Sequence, residues 1–106
     1  MQRIYEMVVV LDPQLEDEGR EAAIGRIKDF LSARGGEVLS VEHWGVRRLA
    51  YEIRKRRQGY YILFFFRADG STIPEFERNL HMDDAVLRHL IVVSEEKEVP
   101  VAQEAA

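Results

Sequence analysis

The chain has 106 residues, 46% hydrophobic and 32% charged, with 19 acidic against 15 basic side chains and no cysteine. That length suits one domain with its own core, and the missing thiols exclude a disulfide framework, thiolate metal sites and a cysteine nucleophile. No run approaches the roughly 20 apolar residues of a membrane span, and Met1-Gln2-Arg3-Ile4 lacks signal-peptide character, so a soluble cytoplasmic protein is expected.

Ile4 to Leu11 is β-branched and nearly all apolar, and Asp12-Pro13 ends it because proline cannot continue a ladder. Ala23, Ile27, Phe30 and Leu31 then recur at helical spacing, and Gly35-Gly36 supplies the positive φ of a helix stop. From Glu37 to Ile53 the pattern is strand-like, with Gly45 marking a bulge or a close approach. A basic run connects it as a hairpin to the apolar strand Gly59 to Phe66, which Asp69-Gly70-Ser71 turns. Ser71 or Thr72 is placed to cap a short helix bearing Ile73, Phe76 and Leu80, with Thr72 and Glu75 spaced as a capping box. Val86 to Val93 forms a last strand, and the acidic, aperiodic stretch 95–106 reads as a flexible tail after a domain over 1–94.

The order β-α-β-β-α-β, closed by right-handed crossovers, predicts an α+β ferredoxin-like sandwich. Strands one and three lie in the centre of a four-stranded antiparallel sheet, with both helices on one face. The other face meets water, yet these central strands do not alternate apolar and polar. Val8 and Val10 oppose Met7, Val9 and Leu11, and the third strand exposes either Ile62 and Phe64 or Leu63 and Phe65. Soluble monomers seldom expose such patches, so a protein partner or self-association on this face is expected. The candidate contacts are Tyr5, Val8, Val10, Trp44, Tyr51 and Tyr60.

Charge is unevenly spread. Between Trp44 and Gly59, six cations face one anion, Glu52, giving +5 there and −9 elsewhere. Arg47, Arg48, Arg54, Lys55, Arg56 and Arg57 are therefore candidate polyanion contacts, the last four neutralising backbone rather than reading bases. Arg3 and Arg88 start strands expected to be neighbours and, with Tyr5, form a candidate second contact. His43, His81 and His89 have no ligand spacing, and no nucleophile, paired base or phosphate-cradling loop is visible. Neither a catalytic role, nor a metal, nor a cofactor is expected.

The stretch from Trp44 to Lys55 resembles the most diagnostic segment of the bacterial small-subunit ribosomal protein six family. Gly45-Val46-Arg47, Leu49-Ala50-Tyr51 and Ile53-Arg54-Lys55 stand at that family's spacing, although Glu52 replaces the proline many members carry. Arg3-Ile4-Tyr5-Glu6, Asp12-Pro13 and Asp84-Ala85-Val86-Leu87-Arg88 match in order, so the resemblance covers about residues 1–95. It implies the same fold, a heterodimer with small-subunit ribosomal protein eighteen, and a place on the central domain of small-subunit ribosomal RNA. Two alternatives share the topology. An RNA-recognition motif stacks bases on third-strand aromatics, but Gln58 replaces the cation before Gly59-Tyr60-Tyr61. A small ferredoxin-like enzyme needs an anion-cradling loop or a paired acid and base, and Asp12-Pro13-Gln14 offers neither.

Overall fold

A computed structural model describes residues 1–94; the stretch read as a tail, 95–106, lies outside the described residues. The elements are β1 (Gln2–Leu11), α1 (Asp17–Ser32), β2 (Glu37–Ile53), β3 (Arg56–Asp69), α2 (Ile73–Met82) and β4 (Val86–Val93). The sheet order is β2-β3-β1-β4 and every neighbouring pair is antiparallel, as the element order predicts.

Parity decides the faces. Tyr5, Met7, Val9 and Leu11 of β1 pack with Ile62, Phe64 and Phe66 of β3 beneath Ile27 and Leu31 of α1 and Phe76 and Leu80 of α2. Phe66 is the hub of this layer, stacked on Tyr5 at 5.3 Å and edge-on to Phe76 at 5.5 Å between ring centroids. Tyr5 is 7% exposed and belongs to the helix-side core, so it is withdrawn from the partner contacts. Tyr60 shares that side: its ring lies 4.5 Å beneath the Arg20 guanidinium and its hydroxyl is 2.9 Å from His43 Nδ1, so it too is off the open face.

Val8, Val10, Leu63 and Phe65 occupy the open face, and Val8 pairs with Leu63 and Val10 with Tyr61. This face has a small core of its own. Val10, Phe65 and Leu49 are buried there although no helix covers them. Gly45 shows why Leu49 points that way. The β2–β3 register slips between His43 and Gly45, and Gly45 has a φ of +83°, a conformation open to glycine at little cost. The bulge switches parity, so Arg47, Leu49 and Tyr51 follow Glu42 and Trp44 onto the open face.

The start of α2 departs from expectation. Thr72 lies in helical geometry at the end of a 3₁₀ turn, Gly70–Thr72, and its side chain makes no capping bond. Asp69 serves instead, accepting from Ser71 N–H at 2.9 Å and Ser71 Oγ at 2.8 Å. Glu75, the expected box partner, accepts from Arg34 at 2.7 Å. An Asx-type turn on Asp69, three residues before Thr72, thus displaces the box.

Gly59 carries the closest approach on the open face. A Cβ at this position would stand 2.2 Å from Val10 Cγ1 and 3.4 Å from Leu49 Cδ2. Val10 is β-branched and cannot swing aside cheaply. Gly59→Ala should therefore destabilise the fold by about 1–3 kcal/mol, and adding Val10→Ala should restore part of that loss. Urea midpoints of the two variants check it, and an unchanged midpoint for Gly59→Ala contradicts the packing described.

Candidate nucleic-acid interface

The β2–β3 hairpin is regular as far as Arg48↔Gln58, but the next pair is Ile53↔Arg56, so Leu49 to Glu52 stand opposite Arg57 alone. This wide bulge frees β2 side chains to lie over the sheet. Leu49 covers Gly59 and Val10, and the Tyr51 hydroxyl accepts from Arg88 Nη1 at 2.8 Å, across the two central strands. The turn itself is only Arg54 and Lys55, with φ of 49° and 64°. Arg56 and Arg57 belong to β3, so half of the expected connecting run is strand.

Three ties hold this hairpin end down. Arg54 Nη1 donates to the Asp84 carbonyl at 3.3 Å, just before β4. Arg56 grips Asp12 with both arms of its fork, Nε to Oδ1 at 3.2 Å and Nη2 to Oδ2 at 3.3 Å, and donates to Gln14 Oε1 at 2.9 Å. The third tie is Tyr51 to Arg88. Arg56 is thus a bracing residue engaged within the protein, which separates it from the free cations expected of a solvated run. Arg57 is far more open, with its side chain 87% exposed and a long 3.8 Å ion pair to Glu52.

Seven of the eight candidate cations gather at this end of the sheet. Arg48, Arg54, Lys55, Arg56 and Arg57 form the hairpin end; Arg47 lies 5.6 Å from the Trp44 ring on the open face; Arg88 sits across from Val10. Arg3 does not join them. It pairs with Ala68 at the start of β1, seven residues from Val10, or about 23 Å at roughly 3.3 Å per residue. Antiparallel pairing puts the starts of β1 and β4 at opposite ends, so the expected contact uniting Arg3, Arg88 and Tyr5 does not form. Val8, Val10, Trp44 and Tyr51 do share the open face, with Val10 buried and Trp44 38% exposed. Asp12, Gln14 and the Asp84 carbonyl are the residues that sequence reasoning missed. Asp12-Pro13 signals only a strand stop, and nothing local announces a cation 44 residues away.

Partial burial alone would push the Asp12 carboxyl up, but hydrogen bonds from Arg56 and the Gln14 N–H, with the charges of Arg56 and Arg54, hold it below the ordinary carboxylate value. A carboxyl depressed on folding contributes its stability in full above the unfolded value, near pH 4, and loses it as pH falls through the folded value. Asp12→Asn should cost about 1 kcal/mol at pH 7, and the gap to the parent should close as pH falls from near 4 through the depressed folded value. Denaturant midpoints across that range check it; a gap independent of pH contradicts the pairing.

Among the described residues no group of three or more His, Asp or Glu side chains is arranged to hold a metal ion, and no helix is long and apolar enough to cross a membrane. Comparison with known proteins agrees with the fold and the motifs. The family described as Ribosomal protein S6 matches residues 4–93. The chain is 44% identical to small ribosomal subunit protein bS6 of Carboxydothermus hydrogenoformans over 92 residues, covering 87% of this chain and 96% of that protein. It is 41% identical to the protein of the same name from Moorella thermoacetica over 95 residues, covering 90% and 97%. The crystal structure of 30S ribosomal protein S6 from Thermotoga maritima superposes with a TM-score of 0.80 at 32% identity, covering 89% of each chain. With the family match over residues 4–93, the identities above and the shared fold all in agreement, the chain belongs to the ribosomal protein S6 family.

Proposed function

We propose that this chain is a structural component of the small ribosomal subunit that binds small-subunit ribosomal RNA jointly with small-subunit ribosomal protein eighteen. The observation that carries the reading is the gathering of cations around one hairpin end, beside a sheet face that no helix covers. Leu90 and Val92 of β4 are 59% and 45% exposed on that face, next to the half-buried Val8 and Leu63. An apolar surface of this kind suits a protein partner, and the adjoining basic end suits phosphate. The base-stacking alternative has less support, because Phe65 is buried and Tyr61 half-buried, leaving no exposed ring on the central strands.

The division of labour follows from charge. With a net charge of −4, the lone chain should bind RNA weakly at physiological salt, and a basic partner should raise its affinity. Replacing Leu90 and Val92 together by Lys should leave the circular dichroism spectrum and the melting midpoint nearly unchanged, since both are exposed, yet abolish heterodimer formation. Calorimetry with the purified partner reads the second effect. Full-strength association of the double variant, or submicromolar RNA binding by the lone chain, would contradict the proposal.

A further inference from the structure

A cleft opens between the hairpin end and the β1–α1 turn. Pro13 and Gln14 form one wall, and Arg48, Lys55, Arg57 and Gln58 form the other. Arg56 lies at the junction, where its charge is already answered by Asp12. That leaves Arg48 and Lys55, both exposed, and Arg57, whose side chain is 87% exposed with only a long 3.8 Å pair to Glu52, lining the opening. A second observation concerns the turn. Arg54 and Lys55 both hold positive φ, the pattern of a two-residue type I′ turn, where Asn and Gly are far less strained than long β-carbon side chains. Two cations therefore occupy positions that backbone energetics disfavours, and backbone strain of this sort concentrates at functional surfaces.

We infer that this cleft is the seat of an RNA backbone phosphate, contacted by Arg48, Lys55 and Arg57, with the Asp12–Arg56 pair fixing the distance between its walls. The inference rests on the ribosomal reading above and narrows it from eight candidate cations to three. Arg56 braces the site and Arg54 anchors the turn to Asp84, so neither is a phosphate contact.

The test is assembly of the full chain with its partner and central-domain ribosomal RNA over a salt series. The variant combining Arg48→Ala, Lys55→Gly and Arg57→Ala should lower the magnitude of the log–log salt slope by roughly 0.7–0.9, the contribution of the one phosphate seated in the cleft. It should be no less stable than the parent, because glycine relieves the turn. Neutralising Lys28 and Arg78, on the two helices, should leave the slope unchanged. An unchanged slope in the triple variant, or an equal loss per charge in the helix control, would overturn the cleft as an RNA seat. Loss of partner binding in the triple variant would overturn it in favour of an acidic protein contact. Failure of the parent chain to assemble would instead overturn the ribosomal reading itself.

Discussion

Because β1 and β3 are each bonded on both sides and pair with one another from Gln2↔Asp69 to Leu11↔Tyr60, neither can slip by one residue without exchanging its two faces. Such a slip would bring Glu6 under the helices and move Met7 and Phe64 into water. The register therefore assigns one layer of large side chains to the helices and leaves Val8, Val10, Leu63 and Phe65 on the other side. What the open face offers a partner follows from this pairing. So does the position of the hairpin, since β2 is held only along β3 and its bulged end extends past the regular ladder.

The open face would be more exposed without that extension. Leu49 folds onto the small surface of Gly59 and buries Val10, while Tyr51 reaches Arg88 over the central strands. The hairpin thus joins two surfaces of different chemistry. Its apolar underside completes the sheet, and its basic edge turns outward beside Pro13 and Gln14. Arg56 belongs to both, because its bond to Asp12 braces the hairpin and removes one positive charge from an end where several would repel.

Much of this was legible from residue order. The strand ended by Asp12-Pro13, the helix closed by Gly35, the bulge at Gly45 and the two-faced apolar strands all reflect short-range chemistry that periodicity and glycine placement reveal. Family motifs named the fold and its relatives. The failures are of another kind. Tyr5 and Tyr60 are amphipathic, and their faces depend on register, which residue type alone does not specify. Arg3 and Arg88 each open a strand, but antiparallel pairing sends those openings to opposite ends. Arg56 looked like its neighbours Arg54, Lys55 and Arg57, and only the fold brings Asp12 within its reach. In Thr72, a fitting capping pattern lost to a stronger acceptor, Asp69, three residues earlier.

The central claim is that the sheet face opposite the helices receives the partner protein. Methyl NMR during titration with small-subunit ribosomal protein eighteen tests it most directly. The account predicts large shifts for Val8, Leu63, Leu90 and Val92, with Ala22, Ala33 and Met82 on the helix side unmoved. Shifts confined to those helix-side methyls, with the open-face signals unchanged, would contradict it.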